Sequence, residues 1–188
     1  DDRWTPTLLN NLGTLQLSAH QYKEAQASWE RVLAIQERRL GPEHPQVAMC
    51  LNNLGNVFSE TGAYADAKRM YARSLAIKEK ALGPDHPDLG YTVSSLGELL
   101  LARGDFREAE PLFLRARALW LRALGPDHPR VAAAIHHLGE VAESAGDLGQ
   151  ARGLFEQVLS LRARKLGPDH PVVAGSYARL ALLDTAAG

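Results

Sequence analysis

Histidines beside carboxylates are the side chains of this sequence most able to do chemistry. His44, His86, His128 and His170 each follow an acidic residue and precede a proline. A histidine next to an acid can move protons. These four, however, recur exactly one repeat apart in the same local setting, so no two of them converge on one substrate. His136, His137 and Glu140 form the best metal candidate, because His136 and Glu140 are four residues apart on one helical face. Adjacent histidines point about 100° apart on a helix, and no cysteine or further histidine lies at a fitting spacing. A pH-sensitive patch suits this trio better, since an ordinary histidine titrates near pH 6.5. Cys50 is the lone cysteine and lies beside an apolar stripe, which reads as a small buried hydrophobe rather than a nucleophile. No glycine-rich phosphate loop is present, since Gly-Pro-Asp-His-Pro lacks the lysine and the strand context. The residues therefore imply no catalytic constellation, no metal and no cofactor.

The elements that carry these side chains are set by a repeat. Leu40-Gly41-Pro42-Glu43-His44-Pro45 returns as Leu82 to Pro87, Leu124 to Pro129 and Leu166 to Pro171. The leucines at 40, 82, 124 and 166 are 42 residues apart each time. Such a strict period indicates stacked supersecondary units. Within one unit, Val47, Leu51, Leu54 and Phe58 make a helical apolar stripe that Gly62 ends. Ala67, Tyr71, Ser74 and Ile77 mark the inner side of a second helix that stops at Gly83. Pro84 blocks continuation and Pro87 suits the first turn of the next helix. The Leu-Gly-Pro-acid-His-Pro block is thus helix end, turn and helix start. Gly13, Gly55, Gly97 and Gly139 share a mid-helix phase that predicts close helix approach, with Ala25, Ala67, Ala109 and Ala151 as the facing small residues. Trp29, Tyr71, Phe113 and Phe155 fill the space between helices. Trp120 falls where other units carry the polar Gln36, Lys78 and Arg162, so it reads as an outward ring, either a convex-side contact point or a partly covered side chain, with Arg115, Arg117 and Arg122 as a small basic zone nearby.

The arrangement Leu54-Gly55, Gly62, Tyr64, Ala67, Tyr71 resembles the tetratricopeptide consensus. The 42-residue length, Leu51-Asn52-Asn53-Leu54-Gly55 and the Leu-Gly-Pro-Asp-His-Pro turns resemble the repeats of kinesin light chains and of bacterial proteins with similar arrays. The resemblance covers essentially the whole chain. It implies an all-α fold, a right-handed superhelical solenoid of stacked antiparallel helix pairs. The expected organisation is a single array over 1–188, with repeats at about 5–40, 46–82, 88–124 and 130–166 and a capping helix at 172–185. It reads as a piece of a longer polypeptide.

Function on such a fold must come from a surface. Beside the apolar stripe of the second unit, Met49, Asn52, Asn53, Asn56 and Glu60 form a polar one. The same phase gives Asn10, Asn11 and Thr14, then Ser94, Ser95 and Glu98, then His136, His137 and Glu140, and finally Ala178, Arg179 and Leu182. In an array of this type the first helices line the inner face, so these residues are candidate peptide-binding groups. Asparagine offers both donor and acceptor and can pair with an extended backbone without reading its sequence. The stripe holds no lysine and only Arg179, so the preference of kinesin light chains for acidic motifs is not expected to carry over. Basic or neutral peptide side chains toward Glu98 and Glu140 fit better. The bland alternative is a solvated helix face.

The net charge of −1 excludes an electrostatic footprint for nucleic acid or an anionic membrane. No apolar run approaches the ~20 residues of a membrane span. The opening residues Asp1-Asp2-Arg3-Trp4 show no signal-peptide pattern, and one unpaired thiol suits a reducing, cytoplasmic setting. The sequence therefore points to a protein-interaction scaffold that binds a protein or peptide ligand, not to an enzyme. A structural array with end-to-end self-association is the second reading, favoured by the apolar last helix.

Overall fold

In the computed structural model, residues 5–187 are described, so the polar opening residues lie outside them. Among the described residues there are nine helices and no strand: α1 (Thr5–Ser18), α2 (Tyr22–Leu40), α3 (Pro45–Glu60), α4 (Tyr64–Leu82), α5 (Leu89–Ala102), α6 (Phe106–Leu124), α7 (Pro129–Ser144), α8 (Leu148–Leu166) and α9 (Pro171–Ala187). The chain forms two compact units, Asp1–Leu99 and Leu100–Gly188, with the boundary inside α5.

Each helix starts and stops for a local reason. The long second helices α2, α4, α6 and α8 all end at a glycine with positive φ, at Gly41, Gly83, Gly125 and Gly167. A side chain there would strain the backbone. The turn histidine then caps the following helix. Nδ1 of His44 accepts a hydrogen bond from the Gln46 amide, and His86, His128 and His170 accept in the same way from Asp88, Arg130 and Val172, each at 3.2 Å. The recurrent histidine is therefore a helix N-cap. Three first helices begin at the proline beside it, whereas α5 begins two residues later, at Leu89.

The apolar phases meet as the spacing predicts. In the first unit, Ala25, Trp29, Leu54 and Val57 form one core cluster, Val47, Ala48, Leu51 and Ile77 another, and Ala67, Tyr71 and Leu99 a third. In the second unit, Leu100, Ala109, Phe113, Leu138 and Val141 pack together, as do Ala142, Ala151, Phe155 and Leu183. Three of the mid-helix glycines, Gly13, Gly55 and Gly139, lie against the aromatic rings. A Cβ on Gly55 would lie 2.5 Å from Tyr71, one on Gly13 2.8 Å from Trp29, and one on Gly139 2.6 Å from Phe155. The alanines are fully buried, and the rings four residues on from them occupy the space the glycines leave.

Trp120 corrects an expectation. It is buried, with 3% of its surface exposed, and does not face outward. Its phase is the one from which a second helix reaches the following first helix. One period earlier, buried Lys78 donates from Nζ to Thr92 Oγ1 at 2.8 Å; one period later, Arg162 Nη1 donates to Ser176 Oγ at 2.9 Å. At the Thr92 and Ser176 phase the intervening unit carries Ala134, also buried. A large indole with a small alanine replaces a long cation with a hydroxyl.

Candidate functional site

The polar stripe divides into a row in the first unit and a cluster in the second. In the first unit the amides are anchored to the core. The Asn10 side-chain oxygen accepts from Trp29 Nε1 at 3.1 Å and from Asn53 Nδ2 at 3.2 Å. The Tyr71 hydroxyl donates to Asn56 Oδ1 at 2.7 Å. Asn10 and Asn56 thus satisfy the polar tips of two buried aromatic side chains, a need the low-dielectric interior enforces. The Nδ2 groups of Asn10 and Asn56 and the Oδ1 of Asn53 take no part in these bonds. Asn52 is half-buried, and its Oδ1 is buried with no hydrogen-bond partner among the described residues. Asn11 and Met49 are exposed on the same row. The Thr14 hydroxyl turns back to the Asn10 carbonyl. Ser94 is buried and donates to Glu98 Oε1 at 2.9 Å.

Asn56, Ser95, Glu60 and Glu98 open onto a cleft of about 390 Å³. Leu17, Ser18, His20, Tyr22, Ser59 and Tyr71 complete its lining. Tyr71 forms the inner wall. Its pKa is raised, first by burial, then by the Glu98 charge, with Glu60 adding to it and the hydrogen bond from Ser95 opposing it. Sequence reasoning missed the His20 side of this cleft. His20 has φ of +57°, the only positive φ outside glycine among the described residues. It occupies the phase at which the other units carry Gly62, Gly104 and Gly146. Its Nδ1 and the Tyr22 hydroxyl are hydrogen-bonded at 2.8 Å. The signal was a histidine standing in a column of glycines.

In the second unit His136, His137 and Glu140 do come together, but they satisfy one another. His137 Nδ1 lies 2.9 Å from Glu140 Oε2, and His136 Nε2 lies 3.6 Å from Glu140 Oε1. His137 stacks on Phe113 with ring centroids 4.8 Å apart, and His136 leans on Phe155 at 5.3 Å. The His137 hydrogen bond is the main reason the Glu140 pKa is lowered. Burial, ahead of Arg162 and the other cations, lowers that of His136 against the raising effect of Glu140. Arg179 lies over the Phe155 ring at 5.2 Å and pairs with Glu143 at 2.5 Å, while Ala178 and Leu182 are exposed. Among the described residues no group of three or more His, Cys, Asp or Glu is arranged to hold a metal ion. Cys50 is buried, and burial pushes its thiol up to about 11, which leaves it protonated at neutral pH.

The sequence matches the tetratricopeptide repeat family model twice, over residues 4–80 and 88–164. The chain belongs to the tetratricopeptide repeat family. Tetratricopeptide repeat structures of the kinesin-light-chain type are similar to it. A putative kinesin light chain of nearly identical TPR-like repeats from Podosopora anserina is 27% identical over all of this chain and 90% of that one, with a TM-score of 0.83. BtubC (BKLC) from P. vanneervenii is 19% identical over 98% of this chain and 74% of that one, with a TM-score of 0.84. A Rap protein, solved in complex with competence and sporulation factor, is 14% identical over 97% of this chain and 49% of that one, at a TM-score of 0.77. The last two likenesses concern the fold alone. No curated protein matches the sequence. Tetratricopeptide repeats are in general protein–protein interaction scaffolds. No helix among the described residues is long and apolar enough to cross a membrane.

Proposed function

We propose that this tetratricopeptide chain is a non-enzymatic interaction scaffold whose first helices hold an extended peptide segment of a protein partner. The observation that carries the reading is the anchored amide row of α1 and α3. Asn10, Asn53 and Asn56 each spend one polar group on the core or on each other and keep another for a ligand. Donors and acceptors held in place in this way lose little entropy on binding, which favours capture of a peptide backbone. The same phase in the second unit carries His136, His137 and Glu140, which bond to one another. The lone buried thiol suits a cytoplasmic setting.

The test is a random-peptide display selection on the chain and on a variant with Asn52, Asn53 and Glu98 replaced by alanine. A motif that enriches on the parent and disappears on the variant supports the reading. Identical enrichment on both, or none on either, removes it.

A second reading, self-association through the last helix, has one observation behind it. Val172, Tyr177 and Leu182 on α9 are 43%, 56% and 64% exposed. Light scattering that stays at monomer mass across a hundredfold concentration range would dispose of it.

A further inference from the structure

We propose that the recess between the start of α7, the end of α8 and the start of α9 binds a small aromatic carboxylate, its ring on the apolar lining and its carboxylate on Arg162. The recess shares no lining residue with the polar stripe, so the inference goes beyond the peptide-binding reading and does not depend on it.

The recess measures about 370 Å³, the scale of a pocket for one small organic molecule. Ala132, Leu161, Leu166 and Val172 supply apolar surface, and Arg162 and Lys165 supply positive charge. The carboxylate on the lining, Asp127, is engaged by Arg164 at 3.0 Å.

The other units show what this place lacks. The counterpart of Arg162 two periods earlier is Lys78, whose buried charge is supported by Asp88. At the Asp88 phase beside Arg162 stands Val172. Arg162 keeps the hydroxyl contact, its Nη1 donating to Ser176 Oγ at 2.9 Å, but it has lost the acid. Burial lowers the pKa of this half-buried guanidinium, and no carboxylate among the described residues opposes that. A partly desolvated cation without a counter-ion is costly, and an anion placed beside it offsets that cost. One period before Arg162 the same phase carries Trp120, with 3% of its surface exposed. There the chain fills the position with its own indole, whereas Arg162 turns to Ser176 and leaves the recess open. The two missing parts are a ring and a carboxylate. A guanidinium suits both, since its fork takes a carboxylate in two parallel bonds and its face stacks on aromatic rings.

The experiment is calorimetric titration of the chain with naphthoate and with its uncharged counterpart, naphthamide. We expect naphthoate to bind with a Kd below about 1 mM. Naphthamide should bind about 5- to 20-fold more weakly, the share of one charge-assisted contact at a half-exposed site. Arg162→Gln installs the residue that Gln36 represents at this phase. It should weaken naphthoate by the same factor and leave naphthamide unchanged, closing the double-mutant cycle. R162W/S176A reproduces the Trp120 and Ala134 pair, fills the recess and should abolish binding of both probes. Circular-dichroism melts that match the parent show that lost binding is not lost fold, and Arg162→Gln decides the matter if the double variant does not fold. No binding of naphthoate, equal affinity for acid and amide, or naphthoate binding that survives R162W/S176A overturns the proposal. N-acetyltryptophan presents a ring and a carboxylate as a chain terminus does. Tighter binding of it than of naphthoate gives the recess to a protein C-terminus and overturns the small-molecule assignment. Light scattering above monomer mass that naphthoate reverses gives it to a second copy and does the same.

Discussion

The Asn10 side-chain oxygen accepts a hydrogen bond from the Asn53 amide group 43 residues away, at 3.2 Å, while also accepting from the buried Trp29 indole. One oxygen on α1 therefore ties its own second helix and the next first helix together. Asn10→Ala strips an acceptor from both donors, and a buried donor left unpaired costs about 1–3 kcal/mol. Urea denaturation should show a loss of that order. The Asn10→Ala/Asn53→Ala double variant should lose less than the sum of the singles, because they share one interaction. Simple additivity would mean that the two amides do not cooperate.

The glycine phase makes a sharper forecast. Gly55→Ala would place a methyl 2.5 Å from a Tyr71 ring that Asn56 holds by its hydroxyl. The ring has no easy retreat, so overpacking should cost about 1–3 kcal/mol, against the usual gain from replacing a helical glycine. Gly153→Ala is the control: nothing lies within 4 Å of the added methyl, and Gly153 sits inside α8. It should stabilise the chain by about 0.5–1 kcal/mol. Thermal melts of the two variants should move in opposite directions; a shift of both in the same direction would refute the packing argument.

Acid should weaken the second unit through the histidine–glutamate cluster. Burial holds the His136 pKa below its ordinary 6.5, and the His137 hydrogen bond is the main cause of the lowering of Glu140 below 4.5. In each case the unfolded chain binds more protons than the folded one just below the ordinary value. Stability is therefore full above about pH 6.5 and falls as pH drops, first through His136 and then through Glu140. His136→Gln should flatten the fall that begins below pH 6.5 and leave the loss that Glu140 adds at lower pH. Melting temperatures recorded across pH 8 to 4 check this, and an unchanged acid limb in His136→Gln would count against it.

Much of the molecule was legible from the residues. The 42-residue period, the helix pairs, the buried aromatic phase and the glycine stops are all properties of local backbone preference and of which side of a helix is apolar. Those depend on neighbours three and four residues away, which a sequence displays directly. The turn histidines were read as structural for the right reason, since one fixed setting recurs four times.

What the tertiary structure decided depends on partners fourteen to forty-three residues distant. The sequence placed Trp120 outside because its counterparts Gln36, Lys78 and Arg162 are polar. In the fold that phase reaches the following helix, and Trp120 is buried there as Lys78 is. The sequence placed Asn10, Asn53, Asn56, Glu98 and Glu140 on one polar stripe but could not tell which of their atoms were already spent. Helical phase fixes the direction of a side chain, whereas the identity of its hydrogen-bond partner follows only from how two helices pack. For the same reason the cleft beside His20, which gathers residues from α1, α2, α3, α4 and α5, exists only once those helices are stacked.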